Sequence, residues 1–338
     1  MVFHDISARP LAIPAPVLAT TDVLAKAMTI RRRFDKDDDR ISGESHVVSR
    51  TSIVGLASRN WPFANGSGRI IDKWGSDIRF GSGEQTCRTT DGFGMHVMGD
   101  DLIGRHLILS GKFDRSTITV LLDFCRPGDR CIDIGANIGY VACLILNAVP
   151  DSWVMCIEPQ PDIAALLRKN LAQFGDARST VKQVALSDSD SEGFLSIDRD
   201  NRGASTLVTE KSAETVMVPL LPAAGVFAAL DRLDIVKMDV EGHEEAVFRS
   251  GAAELARLRP RAILFEDQTN RSGPGGAIGK ILADIGYRVF GIGKDLLATR
   301  LRPLTDGGSY AFNDYIALPR DRELPAAALR KYGLTASL

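Results

Sequence analysis

From about residue 115 onward, short apolar runs alternate with segments in which apolar residues recur at helical spacing. A period of two residues is typical of strands and a period of about 3.6 residues is typical of helices. The predicted strands are residues 131–136, 154–158, 181–186, 234–240, 261–267, 287–292 and 313–319, and the predicted helices are residues 116–125, 140–149, 162–174, 244–250 and 278–286. This alternation predicts an α/β fold with a doubly wound, mostly parallel, Rossmann-like sheet covered by helices on both faces.

Four further segments and one glycine add detail to this pattern. Residues 192–197 and 215–220 predict an antiparallel pair of strands inserted into the alternating part of the chain. Residues 94–100 and 105–111 predict two short strands that precede it. Gly251 is expected to end the helix that begins at residue 244, because glycine commonly follows the last turn of a helix.

The first ninety residues differ from the rest of the chain. Residues 17–33 predict one helix, whereas residues 34–91 are polar and rich in Gly, Ser, Asp and Arg. Such a composition indicates either an irregular appended subdomain or partial disorder. We therefore divide the chain into an N-terminal extension of unknown role (1–89), the α/β domain (90–319) and a C-terminal tail (320–338).

Composition and charge exclude several classes of partner. The 338 residues are 44% hydrophobic and 25% charged, and 41 basic against 43 acidic side chains give a formal net charge of −2. Such a balance gives no general attraction to nucleic acid or to an anionic membrane, so we expect neither partner. Five cysteines without a C-x-x-C pair indicate a reducing compartment. The chain starts without a signal-peptide pattern and no apolar run reaches the length of a membrane span, so we expect a cytoplasmic protein.

The stretch CIDIGANIGYVACLIL (residues 131–146) places an acid, two glycines and an amide inside an apolar run. In open α/β sheets, ligands bind beyond the carboxyl ends of the strands, so this strand, loop and helix predict a cofactor site. Gly135 permits the backbone to lie close to a ligand, and Gly139 lets the helix pack near the strand. Asn137 can cap that helix or bind the ligand.

The residues around this loop favour S-adenosylmethionine as the cofactor. The loop lacks the G-x-G-x-x-G pattern of a dinucleotide site. Asp133 would repel a pyrophosphate, but it suits S-adenosylmethionine, which has an ammonium and a sulfonium group and no phosphate. Glu158 ends the second strand and can accept hydrogen bonds from two ribose hydroxyls. Asp188 follows the third strand and is placed to accept from the adenine amine. The alternative is a simple helix cap beside a surface acid.

Polar residues also stand at the carboxyl end of the fourth predicted strand, where a methyl acceptor should lie. Asp239 and Glu241 could bind hydroxyls of the acceptor directly. They could instead hold magnesium or calcium together with Glu266 or Asp267, because such ions prefer oxygen ligands. Direct hydrogen bonding is favoured over a divalent metal, so we assign no metal ligand.

The general base has two candidates. His243 has an unperturbed pKa suited to this role, and the alternative that it caps the next helix is equally open. Glu266, at the end of the fifth strand, is the second candidate base or a ligand of the acceptor. Lys237 is expected to pair with Asp239 as a structural ion pair.

These motifs resemble the FkbM-type S-adenosylmethionine-dependent methyltransferases. The resemblance rests on DIGANIGY (133–140), EPQPDIAALLRKNL (158–171), VALSD (184–188), VKMDVEGHEEAVFRSGA (236–252) and RPRAILFED (259–267). Residues 91–114 are similar to the lead-in that precedes the sheet in this family. Phe113 and Asp114 stand where the family usually has Tyr-Glu.

The resemblance covers roughly residues 90–318 and implies a methyltransferase domain. It implies that Gly135, Asn137 and Gly139 line the cofactor loop, and that Glu158 holds the ribose and Asp188 the adenine. It also implies O-methylation of a sugar or secondary metabolite, with a small-molecule or glycan hydroxyl as acceptor. Neither the acceptor nor an oligomeric state is specified by the sequence.

Two alternatives for the function are a scaffold protein that keeps the methyltransferase fold without turnover, and an NAD-dependent oxidoreductase. The set of Asp133, Gly135, Glu158 and Asp188 disfavours the first alternative, because a site without function has no reason to keep all four. The missing G-x-G-x-x-G pattern disfavours the second.

Overall fold

The computed structural model describes residues 49–198, 200–268, 272–304 and 312–334, so the helix predicted at residues 17–33 lies outside the described part. The described α-helices are α1 (Arg50–Arg59), α2 (Ser67–Trp74), α3 (Leu102–Ser110), α4 (Arg115–Asp123), α5 (Tyr140–Ala148), α6 (Pro161–Ala172), α7 (Ala223–Ala228), α8 (Glu244–Leu258), α9 (Ala277–Asp284) and α10 (Ala326–Tyr332). The described strands are β1 (Glu84–Arg88), β2 (Gly94–Met98), β3 (Arg130–Ile134), β4 (Trp153–Ile157), β5 (Ser179–Lys182), β6 (Ala185–Ser187), β7 (Ser191–Ser196), β8 (Thr206–Val208), β9 (Thr215–Pro222), β10 (Ile235–Met238), β11 (Ala262–Glu266), β12 (Tyr287–Lys294), β13 (Thr299–Pro303) and β14 (Asp314–Pro319). Within these ranges, no helix combines the length and the apolar character that crossing a membrane requires.

An eight-stranded sheet has the order β13-β12-β14-β11-β10-β3-β4-β5. Five neighbouring strands of this sheet are mutually parallel, namely β5, β4, β3, β10 and β11. Strand β14 lies between β11 and β12 and is antiparallel to both. After β3 the chain moves outward through β4 to β5 and later returns to the other side of β3 with β10. This reversal of strand order is the point at which open α/β sheets bind ligands. The predicted doubly wound, mostly parallel sheet is therefore confirmed.

Helices cover both faces of this sheet. Ile132 and Ile134 pack into an apolar cluster with residues of α7, α8 and α9. Cys131 faces the other way, into a cluster formed with residues of α4, α5 and α6. Because side chains of a strand alternate between the two faces and both faces are covered, the central strands are apolar along nearly their whole length.

The described part of the N-terminal extension packs on the segment that leads into the sheet. Residues 49–89 contain α1, α2 and β1, joined by loops. Val54 of α1 and Ile70 and Ile71 of α2 form a small apolar core with Leu109 of α3. Strand β1 pairs antiparallel with β2. The extension therefore contacts the segment that leads into the sheet through α3 and β2.

Residues 105–111 were expected to form a strand, and this prediction is wrong because they belong to helix α3. The carboxylate of Asp101 caps this helix by accepting from the backbone N–H groups of Ile103 and Gly104. Gly111, with a φ of 72°, follows the last turn. The apolar run between Asp101 and Gly111 is compatible with a strand or with a buried helix. The capping residues at its two ends favour the helix.

The single strand predicted at residues 181–186 is divided into two. Strand β5 ends at Lys182, opposite Ile157, which is the last residue of β4. Beyond this point β4 offers no further backbone partner, and β6 pairs instead with β9 in a second sheet of order β6-β9-β7-β8. The predicted antiparallel insertion is confirmed in the same sheet, because β7 pairs antiparallel with β9.

Gly251 does not end helix α8, which continues to Leu258. A Cβ atom at Gly251 would lie 2.5 Å from Cε2 of Phe227 in α7. The glycine therefore permits close packing of the two helices, and its expected role as a stop signal is wrong.

A network of buried charges lies at the amino ends of β3, β10 and β11. The side chains of Asp129 and Asp234 are each 1% exposed, and that of Arg261 is 2% exposed. Arg261 donates to Asp129 and to the carbonyl oxygen of Phe124, the latter at 2.8 Å. Arg232 also pairs with Asp234, at 2.7 Å, but its side chain is 57% exposed.

We predict that Arg261→Met lowers the free energy of unfolding by about 3–5 kcal/mol, because it removes the buried cationic partner of Asp129. The matched control Arg232→Met should change it by at most about 1 kcal/mol, because an exposed ion pair is screened by water. Denaturant unfolding measures both values. Equal losses in the two variants would contradict this account of the network.

Candidate active site

A cleft opens at the carboxyl ends of β3, β4, β10 and β11, where the strand order reverses. It contains about 1220 Å³ of space, including the part open to solvent. Its walls come from the β3–α5 loop, the loop after β10 and the turn of 3₁₀ helix Arg202–Ala204. Sites for small molecules and cofactors are concave and mostly preformed in this way, with volumes of roughly 300–1,000 Å³.

Gly135 is required by the contact between two loops. Its φ is 72°, and an added Cβ atom would lie 1.8 Å from the carbonyl oxygen of Asp239, in the loop after β10. Its N–H group donates to the carbonyl oxygen of Ile157 at 3.0 Å. Gly139 has a φ of 84°, and a Cβ there would lie 2.5 Å from Cδ1 of Leu167 in α6. Gly139 thus allows α5 to pack on a helix, where the sequence had suggested a strand.

Asn137 and Glu158 are joined at the floor of the cleft. Asn137 has a φ of 49°, and its N–H group donates to Oε2 of Glu158 at 2.9 Å. Its side-chain oxygen accepts from the N–H of Ile138 at 2.6 Å, and α5 begins after Gly139 without a side-chain cap. The Asn137 side chain therefore does not cap the helix, and the residue lines the cleft.

Glu158 is a buried carboxylate, 3% exposed, that reaches the cleft from the end of β4. Oε1 accepts from the N–H of Gln160 at 2.9 Å, and the bond from Asn137 holds the other oxygen. Burial raises the pKa of Glu158 to about 7. Each carboxylate oxygen has a further lone pair, so Glu158 can still accept hydrogen bonds from a ligand.

Asp133 lies beneath the cofactor loop and does not line the cleft. Its side chain is fully buried, and Lys237, its register partner on β10, places Nζ 3.3 Å from its Oδ1. The same Nζ donates to the carbonyl oxygen of Gly135 at 2.8 Å and lies 3.7 Å from Oδ2 of Asp239. The expected pairing of Lys237 with Asp239 is therefore present, but Asp133 is the nearer partner.

The charges of this group depend on one another. Burial raises the pKa of Asp133, although the charge of Lys237 opposes that rise. Burial disfavours the charge of Lys237, but Asp133 and Asp239 outweigh burial and raise its pKa. Lys237 thus stays positively charged in the core, and its charge offsets that of Asp133.

Asp188 and His243 are brought together by Ser187. Asp188 is exposed after β6 and lies outside the residues that line the cleft. Ser187 Oγ is 3.0 Å from Nε2 of His243 and 3.4 Å from Oδ1 of Asp188. His243 precedes α8 without a side-chain cap, so its interpretation as a helix cap is not supported. His243 lines the cleft, and burial lowers its pKa.

Three carboxylates meet at the opposite end of the cleft, as the sequence predicts. Asp239, Glu241 and Glu266 offer oxygen atoms that all lie within 4.8 Å of one another. Gln268 Nε2 donates to Glu241 at 3.3 Å and to Glu266 at 3.0 Å. Burial and the charge of Asp239 raise the pKa of Glu241 to about 7 and that of Glu266 to about 8. The geometry suits a divalent cation or the hydroxyls of an acceptor.

Asp267 does not join this cluster. It is buried and accepts a hydrogen bond from the hydroxyl of Ser272. The sequence offered Glu266 or Asp267 as the third acid beside Asp239 and Glu241. In the structure the third acid is Glu266.

Glu244 shapes the loop that carries two of these acids, and the sequence analysis missed it. Its side chain is buried, and Oε1 accepts from the N–H groups of Val240 and Gly242 at 3.1 and 3.3 Å. Glu241 between them has a φ of 49°, which is uncommon for a residue other than glycine. An acid in the first turn of a helix that bonds back to the preceding loop is a known capping signal, and it could have identified Glu244.

Asp314 and Lys294 complete the acidic end and were also missed. Asp314, the first residue of β14, is opposite Glu266 in the register and lines the cleft. Lys294 Nζ lies 2.7 Å from Asp314 and 2.8 Å from Asp114. Asp114 therefore reaches the cleft from the start of α4, and it forms an ion pair with Lys294. No local pattern marks these residues, because β14, β12 and α4 meet only in the folded chain.

Comparison with known families gives a class of protein that is compatible with this cleft. The sequence model described as "Methyltransferase FkbM domain" matches residues 133–289. Over these residues the chain is similar to FkbM-type methyltransferases, so the resemblance found in the sequence is confirmed. A search of curated proteins found no significant match.

Several solved structures are similar to this chain. The methyltransferase FkbM from Methylobacillus flagellatus has 15% identity and a TM-score of 0.40, over 57% of this chain and 44% of that one. This chain thus spans less than half of that protein's length. A SAM-dependent O-methyltransferase from Thermotoga maritima has 15% identity and a TM-score of 0.34, over 70% and 78% of the two chains. A TehB-like SAM-dependent methyltransferase from Corynebacterium glutamicum has 9% identity and a TM-score of 0.37, over 64% and 92%.

We predict that Gly135→Ala destabilises the protein more than Gly128→Ala does. Both positions have positive φ, at 72° and 78°, so alanine should cost about 1–2 kcal/mol of backbone strain at either. Only Gly135 adds an overlap with the Asp239 carbonyl, because nothing lies within 4 Å of a Cβ at Gly128. The overlap should add about 1–3 kcal/mol. Denaturant unfolding tests this, and equal losses would mean that the two loops can separate freely.

Proposed function

We propose that this protein transfers a methyl group from S-adenosylmethionine to a hydroxyl group of a small-molecule or glycan acceptor. The observation that carries the proposal is the position of Glu158, a buried carboxylate beside the glycine loop with lone pairs left for a ligand. The same cleft continues to Asp239, Glu241 and Glu266, which are acceptors suited to the hydroxyls of a second ligand.

The cofactor half of the cleft would bind the nucleoside. Glu158 accepts from the ribose hydroxyls, and Gly135 and Asn137 border the loop on which the ligand rests. Asp188 is assigned to the adenine amine, as the resemblance implies, and Ser187 links it to His243. Leu186 and Val184 supply apolar surface at this end. S-adenosylmethionine contributes an electrophilic methyl group, and the chain contributes binding and alignment.

The acceptor half would orient and deprotonate the hydroxyl. A carboxylate whose pKa is raised to about 8 is a stronger base than an ordinary carboxylate, which favours Glu266 as the base. His243 is the second candidate, but its contact with Ser187 directs it toward the end assigned to adenine. Asp239 and Glu241 then hold other hydroxyls of the acceptor, a role that suits sugars and similar polyols.

A divalent metal on the three carboxylates remains the less favoured form of this proposal. Gln268 Nε2 already donates to both Glu241 and Glu266, so a hydrogen-bond donor bridges these two carboxylates as a hydroxyl of an acceptor would. We also propose a cytoplasmic protein without nucleic-acid or membrane partners, on the basis of the balanced charge and the cysteine pattern.

The first test is binding of S-adenosylmethionine by calorimetric titration, with NAD as the comparison ligand. We expect saturable binding of S-adenosylmethionine alone. Glu158→Ala should weaken it by about 10- to 100-fold, the effect of losing hydrogen bonds to a charged group. Glu192→Ala, which removes an exposed acid of β7, should leave the affinity unchanged. Binding of NAD would favour the oxidoreductase alternative.

The pH dependence of the same titration isolates Glu158. Because its pKa is raised to about 7, the group is mostly protonated at pH 6 and mostly ionised at pH 8. The ionised form attracts the cationic ligand and accepts from two hydroxyls, so the affinity should rise over this range. Glu158→Gln cannot ionise and should show a flatter profile. Parallel profiles for the two proteins would refute this role of Glu158.

The second test is turnover with isotopically labelled S-adenosylmethionine and a panel of sugars, polyols and phenols, read by mass spectrometry. We expect methylated product from at least one hydroxyl acceptor. Glu266→Gln should lower kcat by about 10²- to 10⁴-fold, as for loss of a general base, without changing the affinity for S-adenosylmethionine. Binding without transfer to any acceptor would favour the scaffold alternative.

A further inference from the structure

A short segment of the second sheet crosses the cofactor half of the cleft. This cover segment comprises residues 200–205 between β7 and β8, and it includes the 3₁₀ turn. Arg202, Gly203 and Ser205 line the cleft together with Asn137. A Cβ atom on Gly203 would lie 3.6 Å from Nδ2 of Asn137, so the segment is in contact range of the cofactor loop.

The cover segment is attached to two parts of the domain that are distant in sequence. Oδ1 of Asp101 accepts from the N–H of Arg202 at 2.8 Å, and the N–H of Leu102 donates to the carbonyl oxygen of Asp200 at 3.0 Å. On the other side, Gln160 Nε2 donates to the carbonyl oxygen of Arg202 at 3.0 Å. The segment therefore joins the start of α3 to the loop that carries Glu158.

Asp101 has two separate contacts, one for each carboxylate oxygen. Oδ2 caps α3 through the N–H groups of Ile103 and Gly104, at 3.0 and 3.3 Å. Oδ1 holds the N–H of Arg202. The residue is 3% exposed, so water cannot readily replace either contact. A helix cap alone needs one oxygen, and the second serves the cover segment.

We infer that Asp101 is a positioning residue for the cofactor, which holds the cover segment over the nucleoside half of the cleft and slows the release of the ligand. This inference rests on the proposed function for the identity of the ligand, S-adenosylmethionine. Opening of the cover segment must break the Asp101–Arg202 bond. Loss of that bond makes opening more frequent, so dissociation becomes faster while the fold of α3 persists.

The substitution Asp101→Asn separates the two contacts. Asparagine is as good a helix cap as aspartate, so its oxygen can still accept from Ile103 and Gly104. Its amide nitrogen then faces the N–H of Arg202, and two donors cannot bond to each other. Asp101→Ser, with one short oxygen, should also keep the cap and lose the contact with Arg202. Asp101→Ala loses both.

The experiment measures the dissociation rate of S-adenosylmethionine, and of S-adenosylhomocysteine as a second probe, together with the melting temperature of each variant. Asp101→Asn and Asp101→Ser should release both probes about tenfold faster or more, with melting within about 2 °C of the wild-type protein. The control Asp100→Asn, which weakens the partly exposed pair with the Arg202 guanidinium at 3.2 Å, should change the rate at most about fivefold.

The outcomes distinguish this inference from the proposed function. If the wild-type protein binds neither probe, the proposed function fails. If the wild-type protein binds them and both capping variants release them at the wild-type rate, Asp101 does not position the cover segment. If both capping variants melt as early as Asp101→Ala, Asp101 supports the fold alone, and the inference is equally overturned.

Discussion

The contact between the loops that follow β3 and β10 is the constraint on which the rest of the site depends. Gly135 lies against the carbonyl oxygen of Asp239 so closely that no side chain fits between them. Lys237 joins the same two loops from below, through Asp133 and the carbonyl oxygen of Gly135. A buried charge without its partner would cost several kcal/mol, so the two strands hold one register and the loops one separation. The positions of the cofactor loop and of the acids after β10 are therefore set together.

Charge in the cleft follows from this arrangement. The sequence places many acids near the site, but their charges are offset in different ways. Lys237 offsets Asp133, and Lys294 offsets Asp114 and Asp314. Burial raises the pKa of Glu158, and the neighbouring acids add to the effect of burial at Glu266. The cleft can therefore keep several carboxylates together, and a cationic ligand would favour their ionised forms.

The walls of the cleft come from parts of the chain that the sheet alone does not provide. The second sheet brings Arg202 and Gly203 over the cofactor loop, and the lead-in segment supplies Asp101, which holds them. The loop after β10 takes its form from Glu244, a residue of the following helix. The strands of the large sheet thus supply the floor, whereas inserted and preceding segments shape the space above it.

The sequence by itself determined the alternating elements, the glycine loop after β3 and the meeting of Asp239 with Glu266. These features follow from local periodicity and from the rule that carboxyl ends of adjacent parallel strands share one edge. Only the tertiary structure decided that Asp133 is buried, that Gly251 continues its helix, and that residues 181–186 divide between two sheets. Each of these depends on a partner distant in the chain, respectively Lys237, Phe227 and β9. A pattern of apolar and polar positions does not identify such partners. It predicts which face of a helix or strand a residue lies on, but not which distant residues pack against that face.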